Sequence, residues 1–192
     1  MRQRRSEPLV ATYNAVINAC ARGAQPSKAR GVLVDMLLLR VEPDATSCSG
    51  VINACEKGTH WGEALSMISS MRLVSFEHDA VAHNAAISAC EKGARWHDAL
   101  RLLVDMRLQC LEPDIITHSA ALSACEKSAQ WHEAACLLWT MQQGQLSPDE
   151  ITCSAAISAL EKGAKWSEAL VLLSDMRLRR LKPDVIVYNA AI

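Results

Sequence analysis

Apolar residues in the stretch 80–92, AVAHNAAISACEK, return at three- and four-residue steps, with Ala86, Ile87, Ala89 and Cys90 on one stripe. That spacing predicts a helix rather than a strand, whose side chains would alternate between two faces. Gly93 follows and offers an easy left-handed stop. A second helix is predicted from Trp96 to Arg107, because Trp96, Ala99, Leu100, Leu103 and Met106 share one face. Leu111, Glu112, Pro113 and Asp114 then close the unit, since a proline disfavours continuation of the helix before it.

The two-helix pattern recurs every 35 residues: Asp44, Asp79, Asp114, Asp149 and Asp184 keep that step, and so do Met36, Met71, Met106, Met141 and Met176. Trp61, Trp96, Trp131 and Trp166 share it. Counted from the residue after each aspartate, the copies are 10–44, 45–79, 80–114, 115–149 and 150–184. Residues 185–192 begin a sixth copy, and residues 1–9 are an N-terminal stub where a preceding repeat would end. The proline before the aspartate recurs as Pro43, Pro113, Pro148 and Pro183, with His78 in its place in the second copy. A strict internal period outranks the expectation of one conventional domain.

A pair of helices this short cannot bury both of its faces, so stacking of successive pairs is the expected route to a continuous core. The fold class is therefore all-α, an α-solenoid of antiparallel two-helix repeats. Composition agrees: half of the chain is apolar, yet it holds one Phe and two Tyr, so Ala, Leu, Ile, Val and Met must fill the core. Ala64, Ala99, Ala134 and Ala169, three residues after each tryptophan, permit close helix approach. The tryptophans are expected to plug the seams between helices or repeats. In the first copy Pro26 stands in the tryptophan's place and Arg30 replaces Leu65 and Leu100, which predicts a looser first unit.

Charge and cysteine narrow the chemistry. Twenty basic and 21 acidic residues leave a net charge of −1, which argues against non-specific adhesion to nucleic acid without excluding a segregated basic face. Cys20, Cys55, Cys90 and Cys125 hold one repeat position that Leu160 takes in the next copy, and no CxxC occurs. Substitution by leucine marks a buried apolar site rather than a disulfide or a metal ligand, and free thiols suit a reducing compartment. No run of 18 apolar residues suggests a membrane span, and the basic start, MRQRRS, lacks the apolar segment of a secretory signal. No targeting peptide is visible.

The chain carries VATYNAVINAC from Val10 to Cys20, a glycine after the first helix, then Ala, Leu and Met at fixed offsets and a terminal Pro-Asp. This wording closely resembles the pentatricopeptide repeat with its 35-residue, P-type unit, and the resemblance covers residues 10–192. It implies a right-handed superhelix that binds single-stranded RNA, one base per repeat, with the first helices lining the concave face. It also implies work on RNA processing, stabilisation or translation in a mitochondrion or chloroplast.

In the family the base is chosen by the fifth residue of a repeat together with its last. Carried over, the pairs are Asn14 with Asp44, Ser49 with Asp79, Asn84 with Asp114, Ser119 with Asp149 and Ser154 with Asp184; Asn189 opens a sixth. Asn with Asp resembles a uracil reader and Ser with Asp a guanine reader, giving 5′-UGUGG-3′. Asn offers a donor and an acceptor, Ser a hydroxyl and Asp acceptors, which is chemistry able to read a base edge. The family's second residue is an apolar wedge against the bases, here Val81, Ile116, Ile151 and Ile186, with Ala11 and Thr46 departing from the pattern. Arg22, Lys57, Lys92, Lys127 and Lys162 recur at the end of the first helix and are candidate phosphate contacts, although a cation there also complements the helix dipole.

Neither catalysis nor a cofactor is expected. His83 and His118 share a repeat position, as do His97 and His132, and equivalent positions of adjacent repeats lie about 10 Å apart, too far to share a metal. No hydrolase or zinc-protease signature is present. A protein-binding α-solenoid scaffold is the competing reading, with protein partners in place of RNA.

Overall fold

The computed structural model describes residues 7–73, 80–183 and 185–191. All regular structure among them is helical. The helices are α1 (Glu7–Arg22), α2 (Pro26–Leu38), α3 (Ala45–Lys57), α4 (Trp61–Leu73), α5 (Ala80–Lys92), α6 (Trp96–Leu108), α7 (Ile115–Lys127), α8 (Trp131–Gln143), α9 (Glu150–Lys162), α10 (Trp166–Leu178) and α11 (Val185–Ala191). From α3 onward each odd-numbered helix opens a repeat, and each even-numbered helix completes one.

The two kinds of helix pack differently. Odd helices stack on one another in an unbroken series from α1 through α3, α5, α7 and α9 to α11. Every even helix packs against the odd helices before and after it, while no two even helices bring their backbones together among the described residues. The result is a solenoid with a continuous inner layer of odd helices and an outer layer of separated even ones.

Small residues make the inner layer possible. Ala82, Ala86, Ala89, Ala121, Ala124, Ala156 and Ala159 are buried on α5, α7 and α9, and Ile52, Ile87, Leu122 and Ile157 fill the space between them. The methionine column is fully buried at Met36, Met106, Met141 and Met176, and nearly so at Met71. Cys55, Cys90 and Cys125 have no exposed surface, and Leu160 takes the same place. Burial pushes the thiols of Cys55 up to about 11 and of Cys90 and Cys125 to about 12. They are packing groups, as the leucine substitution predicts.

The helix ends correct one expectation. No glycine has a positive φ; the left-handed residue is the next one, Ala94 at φ 51° after Gly93, with Ala24, Thr59, Ala129 and Ala164 in equivalent places. The Arg95 N–H reaches the Cys90 carbonyl at 2.8 Å and the Ala94 N–H reaches Glu91 at 3.1 Å, the paired bonds of a Schellman stop. Even helices end the same way, with the Leu111 N–H on Met106 at 2.9 Å and Cys110 at φ 58°. The cysteine and methionine columns thus sit at the carbonyls on which each helix closes.

Gly93 is required by its neighbour instead. A Cβ placed on it would overlap the indole of Trp61, with Cγ and Nε1 both at 3.0 Å; one on Gly163 would meet the Trp131 Cβ at 2.9 Å. Trp61 and Trp131 plug the seam to the next repeat, covered from outside by cations: the Arg95 guanidinium lies 4.2 Å from the Trp61 ring and Lys165 Nζ 4.4 Å from Trp131. Trp166 departs from the expectation: it is 70% exposed and fills no seam among the described residues. In the first copy Pro26 takes over the role, 3.1 Å from where a Cβ on Gly58 would stand.

Candidate nucleic-acid interface

Three of the aspartates at 35-residue spacing, Asp44, Asp114 and Asp149, are described, and all three are helix N-caps. Asp44 accepts from the Ser47 N–H at 2.7 Å, Asp114 from the Thr117 N–H at 2.8 Å and Asp149 from the Thr152 N–H at 2.8 Å. In α3 and α7 the cap is reciprocal, because the Asp44 and Asp114 N–H groups donate back to Ser47 Oγ and Thr117 Oγ1, each at 3.3 Å. Burial raises the carboxyl pKa at Asp44 and Asp114, but the hydrogen bonds from Ser47 and Asn14, and from Thr117, outweigh it and hold both below the ordinary range.

The same aspartates stand beside the fifth residue of the repeat they end. Asn14 Nδ2 donates to both carboxylate oxygens of Asp44 at 3.2 Å. Asn84 joins the Asp114 cap through Thr117, whose hydroxyl is 2.7 Å from Asn84 Oδ1 and 2.7 Å from Asp114 Oδ1. Ser119 reaches the Asp149 cap through Thr152, Oγ to Oγ1 at 2.9 Å. Ser49 and Ser154 turn instead to their own helices, donating to the carbonyls of Ala45 at 2.7 Å and Glu150 at 2.6 Å. Ser49 is buried, Asn189 is exposed, and Asn14, Asn84, Ser119 and Ser154 are half-buried. Asp79 and Asp184 lie outside the described residues.

The buried hydroxyls of Ser47, Thr117 and Thr152 were missed in the reading of the sequence, which treats the aspartates as register marks and base readers only. Their signal is present as Asp-x-x-Ser/Thr at each helix start, a capping pattern. The residues expected to act as wedges share the first turn with them. Val81, Ile116 and Ile151 are 57%, 72% and 68% exposed, one apolar side chain per repeat directed at solvent. Residues two and five sit three apart, so they share a helix face. The side chain of Ile186 lies outside the described ones.

Arg22, Lys57, Lys92, Lys127 and Lys162 are exposed at the opposite ends of the odd helices, about 12 Å from the fifth residues at the rise of an α-helix. Three are tied across repeats: Lys92 to Glu56 at 2.9 Å, Lys127 to Glu91 at 2.9 Å and Lys162 to Glu126 at 2.6 Å. Lys92 and Lys162 also donate to the backbone carbonyls of Glu56 and Glu126, capping the preceding odd helix. Lys57 faces the first copy, where Ala21 stands in the glutamate's place.

Among the described residues no cluster of three or more His, Cys, Asp or Glu could hold a metal ion, and no helix is long and apolar enough to cross a membrane. His118 is a packing group: its Nδ1 is 2.9 Å from the Asp114 carbonyl and its Nε2 3.3 Å from Arg107 Nη2. Burial and the Arg107 charge push its pKa down, against smaller upward effects from Asp114.

These features define a class: a helical-repeat solenoid whose inner helices start on a capping aspartate joined to a polar residue of the repeat before, with an exposed apolar side chain beside it at Val81, Ile116 and Ile151. The profile of the PPR repeat matches residues 11–41, 81–110 and 151–181, and the chain belongs to the pentatricopeptide repeat family. No curated protein matches it. The crystal structure of the pentatricopeptide repeat protein PPR10 from maize is similar at 27% identity and a TM-score of 0.71, over 95% of this chain and 26% of that one. This chain thus spans about a quarter of its length. PPR10 in complex with an 18-nt psaJ RNA element matches at 19% identity and a TM-score of 0.63, over 95% and 32%. The PPR domain of Arabidopsis thaliana protein-only RNase P 1, in complex with tRNA, matches at 10% identity and a TM-score of 0.80, over 94% and 95%, a likeness of fold.

Proposed function

We propose that the row of odd-helix N-termini binds single-stranded RNA, one base per repeat. The observation that carries this is the pairing of Asn14 with Asp44, fifth residue with last, at 3.2 Å on an accessible edge. The exposed Val81, Ile116 and Ile151 support it, since one uncovered apolar side chain in each of three successive repeats suits bases slotted between neighbours. So do the RNA-bound forms of PPR10 and the RNase P 1 domain.

On this reading the pairs named above read 5′-UGUGG-3′, the wedge residues including Ile186 separate the bases, and the terminal cations Arg22, Lys57, Lys92, Lys127 and Lys162 hold phosphates. The chain serves RNA processing, stabilisation or translation in a mitochondrion or chloroplast, in keeping with its family. The test is a filter-binding titration at fixed salt of UGUGG-containing RNA against UAUAA in the same flanks. Preference for the first supports the code. Equal binding overturns the code, and no binding by folded protein at low salt replaces the reading with a protein-binding scaffold.

A further inference from the structure

The fifth residues fall into two groups, and a residue outside the reading pair separates them. Where the third residue of the next repeat carries a hydroxyl (Ser47, Thr117 or Thr152), the fifth residue is bonded to it: Asn14 at 2.6 Å, Asn84 at 2.7 Å and Ser119 at 2.9 Å. Where that residue is Ala82 or Val187, the fifth residue, Ser49 or Ser154, donates to a carbonyl of its own helix. The three hydroxyl residues are at most 1% exposed, so no solvent competes for these bonds.

For an asparagine the hydroxyl settles which end of the amide faces which way. Ser47 Oγ carries one proton and lies 2.6 Å from Asn14 Oδ1 and 2.8 Å from Asp44 Oδ1. Asn14 Nδ2 is then directed at the Asp44 carboxylate. Reversing the amide would set its oxygen against that carboxylate. With Oδ1 held by a buried hydroxyl, what the amide offers a ligand is an N–H. A uracil presents carbonyl acceptors on its edge where cytosine presents an amino donor, so an amide held in this sense favours uracil. An amide free to reverse serves either base.

We propose that the third residue of each repeat is a positioning residue for the reading pair of the repeat before it. Ser47 and Thr117 hold Asn14 and Asn84 in the sense that selects uracil over cytosine, and Thr152 holds Ser119 beside Asp149. Ala82 and Val187 carry no hydroxyl and so cannot give Ser49 and Ser154 this bond. This rests on the RNA reading above and adds to it a determinant that the two-residue code does not contain.

The experiment compares affinities for RNAs with U or C facing the third repeat, in the unmodified chain and in Thr117→Val, which keeps shape and removes the hydroxyl. The expected result is a drop in the U-to-C ratio of about fivefold, the worth of one side-chain hydrogen bond. The ratio opposite the first repeat stays unchanged, and Thr117→Ser restores the ratio opposite the third. A role in capping α7 alone would lower stability and weaken all RNAs alike without moving either ratio, and that result overturns the proposal. Should Thr117→Val fail to fold, Ala82→Thr carries the test in the other direction, since preference opposite the second repeat must sharpen. Unmodified protein that binds no RNA, or binds it without base preference, removes the RNA reading itself. Binding with preference that Thr117→Val and Ala82→Thr both leave untouched removes only this inference.

Discussion

Trp61 and Gly93 belong to successive repeats, and the indole lies where a side chain on the glycine would begin. Gly93→Ala therefore forces the ring or the repeat to shift, at a cost of about 1–3 kcal/mol, the usual range for overpacking. Gly62, on α4 with nothing within 4 Å of a Cβ, is the control. Gly62→Ala raises stability by roughly 0.5–1 kcal/mol through helix propensity. Denaturant midpoints of the two variants must move in opposite directions; a shift of the same sign in both removes the role given to the tryptophan.

Thiol labelling reads the cysteine columns. Cys110 and Cys136 are exposed, whereas Cys48, Cys55, Cys90, Cys125 and Cys153 are buried with pKa values pushed to about 11 or 12. Because the thiolate is the nucleophile, native protein at pH 7.5 labels first at Cys110 and Cys136, and the five buried thiols label only on unfolding. Mass spectrometry after a short maleimide pulse decides it, and early modification of Cys90 would contradict the packing described.

Acid is expected to lower the stability of the array in two steps. His118 is buried with its pKa pushed down, so its contribution is complete above the ordinary value of 6.5 and fades as pH falls through its lowered value. Asp44 and Asp114 also have lowered values, so their contribution is present above 3.8 and is lost as pH drops below it. Melting temperature falls first in the mildly acidic range and again below pH 4. His118→Gln removes the upper step and leaves the lower one; a curve unchanged in shape contradicts the assignment.

Lysines at one repeat position are unequal. Lys57 meets no glutamate across the seam, while Lys127 is tied to Glu91. If RNA phosphates bind this row, Lys57→Gln lowers the slope of log affinity against log salt by about 0.7, the single-strand value for one phosphate. Lys127→Gln, which also frees an acidic neighbour, weakens binding with a smaller change of slope. Equal slopes for the two variants would show that the ion pair is irrelevant.

The sequence made the helices legible almost to the residue: the stripe at 80–92 is α5, and the face from Trp96 to Met106 is α6. What escaped it lies between repeats. Leu102, beside the predicted face, is buried because a solenoid helix is covered from two sides, whereas an amphipathic stripe supposes one. The ties of Lys92, Lys127 and Lys162 to glutamates 36 residues earlier obey no helix-surface spacing. Gly93 reads as a turn residue until the indole of the preceding copy is placed on it. The hydroxyls of Ser47, Thr117 and Thr152 read as ordinary helix-start residues until a neighbouring asparagine or serine is found on them.

Asp44 belongs to two units, as partner of Asn14 behind it and as cap of α3 ahead, and Asp114 and Asp149 likewise cap α7 and α9 while joined to Asn84 and Ser119 through a hydroxyl. An exchange there is therefore never a local edit of vocabulary. Asparagine and serine start a helix about as well as aspartate, and alanine or a branched aliphatic costs about 1 kcal/mol. The letters open to this position are thus rationed by what its neighbour needs to fold. An engineer rewriting the chain inherits a grammar in which every word ends on the first letter of the next.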